Sequence, residues 1–128
     1  MVYIAAMPEA LVTVVEMPSF QRRADALLSV AERTALIEAL ARDPLAGDLI
    51  PETGGLRKLR WSVKGRGERG GVRAVYYFHS LEIPVYAIAL YANNERADLT
   101  PAQKAEARRL VELLKAGARR RGAGRRGR

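Results

Sequence analysis

The stretch LRKLRWSVKGRGERGGVRAVYYFHSLEIPVYAIALYA, residues 56–92, decides the fold. It holds three runs rich in β-branched, aliphatic and aromatic residues, at 56–63, 72–79 and 83–92, each of strand length. The segment 64–71 (KGRGERGG) separates the first two, and its glycines tolerate the backbone angles of a hairpin loop. A short turn at 80–82 separates the last two. Neighbouring runs joined so closely pair antiparallel, so a three-stranded meander is expected.

Alternation along these runs sorts the side chains by face. Leu59 and Trp61 point to one side, Lys58 and Arg60 to the other. Val72, Ala74, Tyr76 and Phe78 share a face, opposite Arg73, Val75 and Tyr77. In the last run Tyr86, Ile88 and Leu90 alternate with Ala87, Ala89 and Tyr91. Packing the aliphatic sides against helices leaves a second face carrying Lys58, Arg60, Arg73, Tyr77 and Tyr91. The small Ala87 and Ala89 leave room for a ligand there. Lysine and arginine bind phosphate, and tyrosine rings stack on unpaired bases, so this face suits single-stranded RNA. Half-buried tyrosines flanked by snorkelling basic chains are the other reading of the same residues.

Upstream, residues 11–16 (LVTVVE) read as a short strand, with the ten residues before it an extra strand or a leader. Pro18 and Ser19 punctuate the chain, with Ser19 placed to cap a helix carrying Phe20, Ala24, Leu27 and Leu28. A second helix follows, with Leu36, Ile37, Leu40 and Ala41 apolar, ended by Pro44 and Gly47. Residues 51–55 (PETGG) form a turn-rich link. Downstream, Thr100, Pro101 and Gln103 make a helix start with a capping box, and Ala107, Leu110, Val111 and Leu114 supply its buried stripe. The expectation is an α+β fold: an antiparallel sheet with two N-terminal helices packed on it and a C-terminal helix, the helices covering one sheet face. Residues 1–116 read as one domain and 117–128 as a disordered Arg/Gly tail.

Composition narrows the function. The 128 residues are 48% hydrophobic with no cysteine, which removes thiolate zinc sites, cysteine nucleophiles and iron–sulfur clusters. The carboxylates Asp43, Asp48 and Glu52 are spread along a loop without metal-ligand spacing, so neither metal nor cofactor is expected. The glycines at 65, 67, 70 and 71 sit in no strand–loop–helix context and form no nucleotide-binding fingerprint. No apolar run reaches membrane-spanning length and no Lys or Arg precedes Arg22, so a cytoplasmic protein without membrane contact is expected. The net charge of +8 is not spread evenly. Residues 57–73 hold seven basic residues against one acid, and residues 117–128 hold six arginines and no acid. Residues 1–56 carry four basic and eight acidic residues. Positive charge clustered in this way is a footprint for a polyanion, a solvated basic loop being the alternative.

Three runs in order, DPLAGDLIPETGGLRKLRW (43–61), GRGERGGVRAVYY (65–77) and YANNERADLTPAQ (91–103), resemble the HigB branch of the RelE/ParE-like toxins of type II toxin–antitoxin systems. The resemblance covers roughly residues 11–115. It implies a RelE-like microbial RNase fold and a ribosome-dependent endoribonuclease, an mRNA interferase that inhibits translation. It implies as partners the mRNA, the ribosome and a cognate antitoxin, often of the helix-turn-helix kind, through which alone operator DNA is contacted. Lys58 and Arg60 match the paired basic positions near the scissile phosphate, and Arg73 matches a phosphate-binding position on the next strand. These three are the expected catalytic residues. Arg57, Lys64, Arg66, Arg69, Tyr77, Tyr91, Asn93 and Asn94 are the expected RNA contacts. Asn93 stands where related chains often carry lysine, and it supplies neither charge nor a proton at neutral pH.

RNA cleavage by its own 2′-OH needs a proton acceptor, a proton donor and charge stabilisation at phosphorus. His79 is the single histidine, so a two-histidine mechanism is ruled out, and it reads as a turn residue at a strand end. Lys58 and Arg60 then supply charge and proton transfer while Arg73 clamps the phosphate. A non-catalytic RNA- or ribosome-binding module is the alternative, keeping the basic face and discarding the chemistry.

Overall fold

The computed structural model describes residues 12–63, 70–95 and 98–126, with side chains through residue 118. The chain runs β1 (Val14–Glu16), α1 (Pro18–Leu27), α2 (Val30–Arg42), β2 (Asp48–Leu49), β3 (Leu56–Trp61), β4 (Val72–Tyr77), β5 (Val85–Ala92) and α3 (Pro101–Arg126). The strands form one sheet in the order β1-β5-β4-β3-β2. The β3–β4–β5 meander is antiparallel as expected, and β2 joins it antiparallel at the β3 edge. β1 lies parallel to β5, so the α+β sheet is mixed rather than purely antiparallel. The two helices between β1 and β2 supply the long connection that a parallel partner requires.

Local signals account for the helix ends. Ser29 and Glu32 close a capping box on α2, and Thr100 and Gln103 close the one expected on α3. α1 starts one residue before the expected cap: Met17 is the N-cap, Pro18 opens the helix and Ser19 lies inside its first turn. α3 continues through the Arg/Gly segment, where a disordered tail was expected; alanine and arginine are strong helix formers, so elongation outlasts the glycine cost. No helix among the described residues is long and apolar enough to cross a membrane.

The helices do not share a face. α1 and α2 bury Phe20, Ala24, Leu28, Leu36 and Leu40 against Val72, Ala74, Tyr76, Val85, Ala87 and Leu90. α3 packs Ala107 and Val111 on the opposite face, against Leu56, Val75 and Tyr77. The cause lies in β4, whose inner residues are buried on both sides and need two covers. Arg33 of α2 ties the first layer together, with Nε 2.8 Å from Glu16 Oε1 and Nη1 2.6 Å from Asp25 Oδ1. The Glu16 hydrogen bond is the main cause holding the guanidinium above its usual pKa.

A bulge corrects the face assignment of β5. Val75 pairs with Ala89 but Tyr76 pairs with Ala87, leaving Ile88 as the extra residue. An inserted residue reverses the in-out phase beyond it. Ala87 and Leu90 therefore both enter the α1/α2 core, whereas Tyr86, Ile88, Ala89 and Tyr91 lie with the α3 cluster. Ala87 is fully buried and gives a ligand no access.

Candidate nucleic-acid interface

Two cross-strand rungs build the site on the α3 side of the sheet. Asp48, Lys58, Val75 and Ala89 form one, and Arg60, Arg73 and Tyr91 form the next. Directly paired residues carry Cβ atoms about 4.5–5.5 Å apart and project to the same face. Lys58, Arg60 and Arg73 are therefore gathered, with Tyr91 flanking Arg73. Like charges directly opposite each other destabilise a sheet, so Arg60 beside Arg73 costs the fold something.

Several other cations have structural partners. Arg23 is paired with Glu95, Arg33 bridges two acids, and Arg108 donates to the Glu52 carbonyl at 2.6 Å. By contrast, no hydrogen bond or ion pair with a described residue engages Lys58, Arg60 or Arg73. These three, with Asp48 and Asp98, line a trough of about 490 Å³. A narrower cavity of about 250 Å³ shares Lys58, Arg73, Asp48 and Asp98 with it. Its remaining walls come from residues 49–51, Val75, Tyr91, Leu99 and Lys104.

The walls are braced. Glu52 adopts φ 67°, a left-handed conformation uncommon outside glycine. There its carboxylate meets Lys104 Nζ at 3.1 Å and its carbonyl accepts from Arg108, clipping the β2–β3 turn to α3. Within the turn, buried Thr53 donates to the Ile50 carbonyl at 2.7 Å and accepts from Leu56 N at 3.1 Å.

Several expected contacts fall elsewhere. Arg57 points to the α1/α2 side of β3 and donates to the carbonyl of Gly47 at 2.8 Å. Tyr77 is buried beneath α3, so its ring is not free to stack on a base. Burial first, and the Glu112 charge second, raise its hydroxyl above the ordinary tyrosine pKa. Its hydroxyl lies 3.3 Å from Nδ1 of exposed His79, beyond the end of β4 and away from the cations. Asn93 turns back on the start of β4: its backbone N–H donates to the Gly71 carbonyl at 2.9 Å, and a Cβ at Gly71 would lie 2.6 Å from Asn93 Nδ2. Asn94 is exposed in the same turn. Lys64, Arg66 and Arg69 lie outside the described residues. Sequence reasoning missed Asp48, Asp98 and Lys104. The tight 50–55 turn was the available signal for Asp48, since it folds 48–49 back onto 57–58; nothing local announces Asp98 or Lys104.

Among the described residues, no three or more His, Asp or Glu side chains are grouped to hold a metal ion. No protein-family model matches the chain.

Arg57 and Arg60 give a contrast within one strand. Arg60→Ala is expected to weaken RNA binding and lower the slope of log affinity against log salt by about 1. Arg57→Ala should leave that slope unchanged and instead cost about 1–2 kcal/mol of stability through the lost loop hydrogen bond. Salt titrations and denaturant melts of both variants check the pair of outcomes.

Proposed function

We propose that this protein is the toxin of a type II toxin–antitoxin pair, an endoribonuclease that cleaves messenger RNA on the ribosome and is held inactive by its antitoxin. The observation that carries the reading is the cluster of Lys58, Arg60 and Arg73, which form no ion pair within 4.0 Å with a described residue and open on a trough beside Tyr91. The resemblance to HigB-type toxins supplies the antitoxin, of helix-turn-helix kind, and the cytoplasmic setting.

In this reaction the 2′-oxygen attacks phosphorus, its proton leaves, and the bond from phosphorus to the 5′-oxygen breaks. The products are a 2′,3′-cyclic phosphate and a free 5′-hydroxyl. Arg60 and Arg73 hold the non-bridging oxygens, where negative charge grows in the transition state. Lys58, between them and Asp48, takes the 2′-hydroxyl proton and becomes an added positive charge beside the phosphate, while solvent water protonates the departing 5′-oxygen.

A non-catalytic ribosome binder is the second reading. It is favoured by the position of His79 outside the groove and by Asn93, which brings no charge. Messenger RNA in a cell-free translation reaction separates the two. The toxin reading expects cuts within codons, mapped by primer extension, that vanish with Arg73→Ala. Intact message with arrested translation would establish the binder. Intact message with normal translation would sink both.

A further inference from the structure

We propose that the narrow cavity beside the cations is a nucleobase pocket that accepts a base with an exocyclic amine and rejects uracil, an inference that rests on the RNA reading above. Its volume of about 250 Å³ falls below the ~300–1,000 Å³ of pockets for drug-sized ligands, which suits a single base. Ile50, Val75 and Leu99 supply apolar wall and Tyr91 an aromatic one. Lys58 and Arg73 line both this cavity and the phosphate trough, so a phosphate held by them places the attached nucleoside at the pocket mouth.

The selectivity comes from Asp48 and Asp98. Two carboxylates in a phosphate site oppose binding by like charge, so their presence calls for a reason. No ion pair within 4.0 Å joins either carboxylate to Lys58, Arg60 or Arg73, so both keep acceptor oxygens open to a ligand. An ionised carboxylate only accepts hydrogen bonds. Cytosine and adenine offer an amino group to it, whereas uracil presents O4, an acceptor, at the position of the cytosine amine. The clip from Lys104 and Arg108 to Glu52 holds the two walls in place before any ligand arrives.

Short 5′-labelled cytidine and uridine oligonucleotides of equal length test this by fluorescence anisotropy at low salt. Cytosine and uracil differ at the amine and the adjoining ring nitrogen, so stacking is nearly matched. The protein should bind the cytidine strand about tenfold more tightly. The double variant Asp48→Ala/Asp98→Ala should lose that preference and bind the uridine strand more tightly than the parent does, because two negative charges leave a phosphate site. Equal binding of both strands by the parent, or a preference that survives in the double variant, overturns the pocket. If both strands bind equally and Lys58→Ala weakens both, the pocket falls and the RNA groove stands. If neither strand responds to Lys58→Ala or Arg73→Ala, both fall.

Discussion

Lys58→Ala is expected to lower the rate of messenger RNA cleavage by about 10²–10⁴-fold, the usual cost of removing an acid or base. RNA affinity should fall far less, by one phosphate contact, with a salt slope reduced by about 1. Lys58 stands between Asp48 and Val75 in one rung, next to the Arg60–Arg73 rung, and lines both cavities. Lys58→Arg sharpens the test. Arginine keeps the charge but does not give up its proton, so it restores binding and leaves cleavage impaired if Lys58 moves a proton. Full activity in the arginine variant would mean that Lys58 acts by charge alone. Single-turnover cleavage and equilibrium binding, measured on the same message, separate these outcomes.

Tyr76→Phe should produce the largest stability loss of any single-atom change near the site. The ring is fully buried, and its hydroxyl donates to the Pro44 carbonyl and accepts from Gly47 N–H, both at 2.8 Å. Phenylalanine strands a buried donor and a buried acceptor, each costing about 1–3 kcal/mol. The expected fall in melting temperature is roughly 10 °C. Gly47 immediately precedes Asp48, so slack in this loop reaches the groove wall, and amide exchange in β2 should quicken. A second Cβ has no room there: at Gly47 it would lie 2.8 Å from Tyr76 Oη and 2.9 Å from the Lys58 carbonyl.

The same hydroxyl gives a pH signature. Burial, against the opposing effect of the Gly47 hydrogen bond, raises the Tyr76 pKa above its ordinary value of 10.0. The folded state thus prefers the neutral phenol more than the unfolded state does. That preference stabilises fully below the unfolded pKa and is lost as pH rises through the folded one. The stability gap between parent and Tyr76→Phe should narrow above about pH 10. A gap constant across the alkaline range would contradict the assignment. Tyr77→Phe should cost less stability, since among the described residues its hydroxyl meets only the exposed His79 at 3.3 Å, and its own gap should also narrow at alkaline pH because burial raises that phenol too.

Much of this molecule is legible from local chemistry. The β3–β4–β5 meander follows from alternating apolar residues broken by glycine-rich and short turns, and the α3 start follows from Thr100 and Gln103. The grouping of Lys58, Arg60 and Arg73 on one face follows from strand periodicity and antiparallel pairing, because both are short-range rules. What depended on long-range packing was out of reach. A bulge at Ile88 turned Ala87 and Leu90 into the core, and α3 covered the second sheet face, removing Tyr77 from the groove. Arg57 was drawn to loop carbonyls across the strand, and Asp48 and Asp98 arrived beside Lys58 from segments fifty residues apart. Sequence by itself determined which residues alternate, turn and cap, since those preferences reside in single residues and their neighbours. Only the tertiary structure decided which cations stay unspent and which carboxylates face them, because that depends on how two helix layers divide the sheet between them.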